Sequence, residues 1–357
     1  MKRKTVILIS LIAVLLLAGL CACKQEVTPE EPQPQPQINN QIPKWEKSDD
    51  GLQDLPDINA SGTETGVTEA LVSGLNNPPE FTSAKNLIVM VCEGLTPELI
   101  ESSISQYGEL ILSSFPVKGT TSSRFSDAEG KTIVDYVRND LKKTQTGIVS
   151  WGELSANSMR RMTTDDMEAT KAQTSVDQFR MKAILTMGIG DYSGVYSEVD
   201  QLNDVHKASG LIITTFDEAI PLYGEEEYYF YFSETYNHTG PIKKLYTIFQ
   251  SDETLPSFRQ EAAFSLAWMQ SKQNAKNGFA LMMSYSPSSA LNAEGVQDFD
   301  EGVALAVKFV LENPDTALLV CGCPADGSVA EVCCYGLGKG VSSQNTLFEC
   351  VSSLYGE

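Results

Sequence analysis

The sequence predicts an α/β fold with a largely parallel central sheet and helices on both faces, and three observations carry that expectation. Short, continuous apolar runs, among them Leu87 to Val91 and Thr316 to Cys321, suit strands buried on both faces. Amphipathic helical patterns alternate with those runs over most of the chain. Residues 82–357 are long enough for one sizeable domain of this class, or for two small ones.

In chain order, NLIVMVCEGLTPELIESSI begins with a buried parallel strand and turns at Cys92-Glu93-Gly94. It then enters a helix with Thr96 as N-cap, Pro97 at the first helical position and Glu98 in the first turn. Glu93 is thereby placed at a strand's carboxyl end, where α/β folds bind ligands. Ile133, Val134, Val137 and Leu141 recur at helical spacing ahead of a short strand around Gly147 to Val149. The stretch from Asp165 to Lys182 reads as a polar helix, and GLIITTFDEAIPLY and EEEYYFYFSET read as two further strands. Alternation of a buried and a solvated face explains the tyrosines and glutamates of the latter more simply than ligand contact does. SFRQEAAFSLAWMQSK is an amphipathic helix before the strand GFALMMSYS. Finally, Val303, Ala306, Val307 and Val310 share one face of a helix capped by Asp298 or Asp300 and stopped at Asn313-Pro314. The strand Thr316 to Cys321 and a last strand in AEVCCYGLGKG follow, and no internal repeat is present.

The beginning of the chain is of another kind. Met1-Lys2-Arg3-Lys4 precedes an apolar run from Thr5 to Leu20, short for a spanning helix, and then Cys21-Ala22-Cys23. Residues 1–22 read as a lipoprotein signal peptide, with Cys23 as the lipidated residue. A leucine three positions ahead and a small residue directly ahead favour Cys23 over Cys21. Residues 23–81, rich in Pro, Gln, Glu, Asp and Asn, read as a disordered tether, leaving 82–357 as the folded domain. The expected location is extracytoplasmic, lipid-anchored to the cell membrane.

With 26 basic and 47 acidic residues the chain carries a formal charge of −21, which argues against a nucleic-acid partner. Anionic substrates would also be repelled unless a metal or an arginine cluster reversed the local field. Beyond Cys23 lie Cys92, Cys321, Cys323, Cys333, Cys334 and Cys350. The runs holding Cys321/Cys323 and Cys333/Cys334 could be neighbouring strands, so a disulfide or soft-metal site is conceivable. Buried free thiols are the simpler expectation.

Taken together, these segments resemble the alkaline phosphatase family over most of residues 85–355. AKNLIVMVCEGLTPELI is similar to that family's opening strand, turn and helix. DAEGKTIVDYVRNDLKKTQTGIVS resembles its DADGK to TGIVS stretch, NGFALMMSYS its KGFFLMVEGG, and FDEGVALAVKFVLENPDTALLVCGC the stretch ending in TAD. The resemblance implies phosphomonoester hydrolysis by a serine nucleophile between two zinc ions, with magnesium nearby.

The residues that would perform this chemistry are mostly replaced. The opening motif's aspartate is Glu93, a vestigial ligand one methylene longer. No room exists between Phe115 and Asp127 for the segment holding the nucleophile, and Ser122, Ser123 and Ser126 lack its context. In WGELSANSM the magnesium-site positions fall on Ala156 and Ser158, while Arg160 and Arg161 stand near, but not at, the phosphate-clamping position. The glutamate of the next motif falls on Ser284, and later ligands on Ser289 and about Leu291. TADH becomes Cys321-Gly322-Cys323-Pro324, and only His206 and His238 exist in the whole chain.

A degenerate, non-catalytic member of the family is therefore expected, a binding or structural module with no cofactor. The alternative is a metal-dependent phosphomonoester hydrolase with a rebuilt site. It would use zinc or magnesium with Glu93, Cys323 and Asp326, or a serine from 122–126. A surface domain kept for protein contacts alone, with no ordered polar pocket at the strand ends, is a third reading. Asp127 reads as a turn residue rather than a ligand.

Overall fold

The apolar runs form the middle of one nine-stranded sheet, in the order β2-β11-β10-β1-β9-β3-β4-β8-β5. The computed structural model describes residues 65–81, 84–143, 145–163, 183–189, 210–213, 223–224, 231–232, 244–249, 255–270, 277–338 and 346–355. All of them lie in one compact unit, Gln53–Glu357. Cys23, the helix expected over 165–182, His206 and His238 fall outside the described residues.

The strands are β1 (Asn86–Glu93), β2 (Val117–Ser122), β3 (Gln145–Glu153), β4 (Leu185–Ile189), β5 (Gly210–Ile213), β8 (Lys244–Phe249), β9 (Phe279–Tyr285), β10 (Thr316–Cys323) and β11 (Glu331–Leu337). The two-residue strands β6 (Tyr223–Gly224) and β7 (Tyr231–Phe232) pair separately. Pairing is parallel from β10 through β1, β9, β3, β4 and β8 to β5, whereas β11 runs antiparallel to both β10 and β2 at one edge. Every residue of β9 and β10 is buried, as doubly covered parallel strands require.

The helices are α1 (Thr65–Asn76), α2 (Pro97–Tyr107), α3 (Ile133–Asp135, continued as a π turn over Tyr136–Asp140), α4 (Asn157–Thr163), α5 (Phe258–Gln270), α6 (Ala293–Glu312) and α7 (Leu347–Ser352). Strand side chains alternate between the faces, so two cores result. Ile88, Met90, Leu281 and Met283 pack with Leu75 of α1, Ile100 of α2, Phe258 of α5 and Val303 of α6. Leu87, Val89, Ala280 and Met282 pack with Ile133 of α3, Met159 of α4 and Leu347 of α7. The chain is thus α/β, with a mostly parallel sheet covered on both faces.

Thr96 caps α2 by accepting from the Leu99 N–H at 3.3 Å, with Pro97 and Glu98 in the first turn as the sequence indicates. Other expectations need correction. Residues 65–76, within the span expected to be a tether, form α1, which buries Leu71 and Leu75 in the first core. Helix α6 begins at Ala293 and is capped by Asn292, which accepts from Gly295 N–H at 2.8 Å. Asp298 and Asp300 lie inside it. Asp300 instead receives the N–H groups of Ile111 and Leu112 at 2.8 and 2.9 Å, and so holds the 3-10 turn Ile111–Ser114. The strand expected at 147–149 runs the length of β3, and the strand expected in EEEYYFYFSET is described only at Tyr231–Phe232.

Candidate functional site

Parallel pairing aligns the carboxyl ends of β10, β1, β9 and β3, and several of the residues singled out in the sequence meet there. Glu93 and Cys323 are register partners, as are Cys92 and Tyr285, and Trp151 and Tyr285. Just before its end, β3 passes through Gly152 at φ +115, where a Cβ would collide with the Ser286 carbonyl. That close approach seats the β3 end beside Ser286, whose N–H donates to the Trp151 carbonyl at 2.9 Å.

The Glu93 carboxylate is spent on structure. Its Oε1 accepts from the Ser158 N–H at 2.6 Å, in the first turn of α4, where an anion also meets the positive end of the backbone dipoles. Ser158 Oγ lies 3.3 Å from Ser286 Oγ. Ser284 Oγ donates to Ser150 Oγ at 2.9 Å, and Ser150 Oγ donates to the Glu153 carbonyl at 2.8 Å. Ser284, Ser150 and Ser158 are fully buried. Ser284, where the resemblance implies a glutamate, and Ser158, where it implies a threonine, thus each meet a neighbouring serine hydroxyl.

Cys323 is buried beside Glu93, its Sγ 3.6 Å from the Pro324 carbonyl. Burial first, and then the Glu93 charge, push this thiol up to about 12, with Arg161 opposing. A thiol that stays protonated at neutral pH is a poor nucleophile. Asp326 sits on the exposed turn after β10, where its Oδ1 accepts from the Ser328 N–H at 2.9 Å. The fold therefore brings Glu93, Ser158, Ser284 and Cys323 to one place and leaves Asp326 on its rim.

The remaining hydroxyls and arginines are likewise engaged. Ser123 Oγ accepts from the Ala330 N–H at 3.0 Å and donates to the Ser328 carbonyl at 3.3 Å. Asp127 holds its turn through the N–H groups of Glu129 and Lys131 at 2.9 and 2.8 Å. Arg161, 7 % exposed, donates to the carbonyls of Gly327 and Ser123 and stands over the Phe125 ring, leaving its buried Nε without a partner. Arg160 donates to Asn157 Oδ1 at 2.8 Å.

A second polar cluster, between α5, α6 and β9, escaped the sequence reading. Glu261 is fully buried, and neither carboxylate oxygen has a hydrogen-bond partner. Burial, with the nearby Asp298 charge, raises its pKa well above the usual carboxylate range. Asp298 accepts from the Tyr285 hydroxyl and the Phe258 N–H, yet burial carries it up to about 6. Tyr285 stacks on Trp151 with ring centres 4.5 Å apart. The available signal was the spacing of Phe258, Glu261, Ala262, Ser265 and Leu266, which puts a carboxylate on the apolar stripe of α5.

No family model matches the chain, and no curated protein does. Solved structures do. The alkaline phosphatase from the Antarctic bacterium TAB5 aligns with a TM-score of 0.53 at 13% identity, covering 77% of this chain and 98% of that one. A variant of that enzyme with Mg bound in its M3 site aligns at 0.52, with the same identity and coverage. The fold is alkaline phosphatase-like. The donors gathered around Glu93 do not fit that family's ions: they comprise one carboxylate held by a helix N-terminus, one buried thiol and several hydroxyls, where divalent ions need a larger converging set of imidazoles, carboxylates or thiolates. Among the described residues no group of three or more His, Cys, Asp or Glu side chains is placed to hold a metal.

Proposed function

We propose that this chain is a membrane-anchored extracytoplasmic lipoprotein whose alkaline phosphatase-like domain serves as a non-catalytic binding or structural module. The observation that carries the reading is the closed hydrogen bonding at the strand ends. Ser284 donates to Ser150, Ser150 to the Glu153 carbonyl, and Glu93 is held by the α4 N-terminus. In the related chemistry the metal ions and an activated nucleophile stabilise the charge that develops at phosphorus. Side chains already satisfied by one another offer no such stabilisation. The anchoring half of the proposal rests on the apolar leader and Cys23. Among the described residues no helix is long and apolar enough to cross a membrane.

Two assays on the full chain test it. Turnover of a generic phosphomonoester, with zinc and magnesium supplied, is expected to stay at the background rate and to be unchanged in Glu93→Ala. Turnover lost on that substitution would overturn the non-catalytic reading. Metabolic labelling with a fatty acid in a bacterial host is expected to mark the chain and to vanish in Cys23→Ser; equal labelling of both would remove the anchor.

A further inference from the structure

All six described cysteines are buried thiols outside any disulfide, but they are not equivalent. Cys92 and Cys333 flank Gly322 on the first face: Cys92 is the register partner of Gly322, and Cys333 Sγ comes within 3.3 Å of where a Gly322 Cβ would stand. They lie two strand spacings apart, about 9–10 Å, which no disulfide spans. On the opposite face Cys321, Cys334 and Cys350 share the core packed against α7. Cys321 is the register partner of Cys334, yet its Sγ turns toward the Met90 carbonyl at 3.7 Å. The Cys334 thiol instead shares a hydrogen bond with Cys350. Helix α7 is held in that position by the Phe348 N–H to the Arg124 carbonyl at 3.1 Å, by the Thr346 and Glu349 capping box, and by the Phe348 ring set edge-on to Tyr136.

We propose that Cys334 and Cys350 are a disulfide-forming pair, and that their oxidation ties the C-terminal helix α7 to the last strand β11. The co-reactant is a small-molecule disulfide. The thiolate of one cysteine attacks it, forming a mixed disulfide and expelling one thiolate. The second cysteine then attacks the protein sulfur of that mixed disulfide and expels the other. Two protein thiols are oxidised, one small disulfide is reduced to two thiols, and the two protons pass to the departing thiolates. Burial keeps both sulfurs out of reach of a dissolved disulfide in the docked state, so the first attack needs α7 to undock or the chain to be still folding. The lasting effect is a cross-link that restrains the unfolded chain. None of this depends on where the protein resides, because the pairing is a property of the purified chain.

The test equilibrates the reduced full chain with oxidised glutathione, in buffer and at a urea concentration within its unfolding transition, followed by alkylation and peptide mapping. The expected product is a reductant-sensitive link between residues 334 and 350, formed several-fold faster in urea. It forms in Cys333→Ser and is absent in Cys350→Ser. The oxidised chain should unfold at higher urea than the reduced chain, a difference lost in Cys350→Ser. Cys334 and Cys350 both remaining alkylatable after equilibration in urea, or a link from Cys334 to Cys321 instead, would overturn the pairing. The wild-type peptide map decides the matter even if a variant fails to fold.

Discussion

The strand ends of β1, β3, β9 and β10 and the cluster between α5, α6 and β9 differ in how they treat buried polar groups. At the strand ends, each hydroxyl discussed has a partner and the Glu93 carboxylate accepts from the first turn of α4. In the second cluster Glu261 is buried with both oxygens unpartnered and Asp298 is held above the ordinary carboxylate range; Asp300, farther along α6 and bonded to Ile111 and Leu112, is raised as well. The unpartnered buried carboxylate thus lies between the helices, whereas the strand ends hold a buried thiol, Cys323, pushed up to about 12.

The largest effect that would sharpen the contrast is expected from Asp300→Ala. It strands the buried N–H groups of Ile111 and Leu112 and should cost about 2–4 kcal/mol, read as a lower urea midpoint near pH 6. A loss under about 1 kcal/mol would mean that the 3-10 turn finds other acceptors.

Glu261→Met should act in the opposite direction. It replaces an unpartnered carboxyl with an apolar chain of similar length and should stabilise the fold by about 1–3 kcal/mol at pH 8. Its sign with pH follows from the raised pKa values. Asp300 is carried up to about 7 and Asp298 to about 6, from 3.8 in the unfolded chain. Between those limits the folded state holds protons that the unfolded state has released. The stability due to these groups is therefore complete below about pH 4 and is lost as pH rises toward 7. Glu261 adds to the same slope, so Glu261→Met should flatten it and gain more at pH 8 than at pH 5. An unchanged pH profile in that variant would show that Glu261 is solvated in solution.

The smallest effect is expected at the strand ends. Ser284→Ala removes one neutral donor and leaves Ser150 still bonded to the Glu153 carbonyl, for a loss of about 1 kcal/mol or less. A loss above about 3 kcal/mol would contradict the view that this cluster is merely satisfied packing.

Much of the fold was legible because its middle is unambiguous. β1, β9 and β10 are continuous apolar runs that only double burial explains, and the face of α6 repeats at helical spacing over twenty residues. Edges and caps were harder. β2 alternates between half-buried and exposed positions in VKGTTS, a polar pattern that gains its strand character only by pairing with β11. α1 lies in a segment of tether-like composition, and its place in the core rests on Leu71 and Leu75. The cap of α6 was misassigned because Asp298 and Asp300 are good capping residues by type, whereas Asn292 is the one with extended backbone at the helix start. Glu93, Ser158, Ser284 and Cys323 could be named from motif order alone, but their mutual hydrogen bonding depends on strand register. Glu261 was overlooked because a helical glutamate ordinarily faces water.

The most direct test of the rebuilt strand ends is the zinc content of the purified full chain after incubation with zinc and magnesium and removal of free ions. Far less than one equivalent, the same in wild type, Glu93→Ala and Cys323→Ala, is the predicted result. Near-stoichiometric zinc that disappears in either variant would contradict it and establish a metal site built on Glu93 and Cys323.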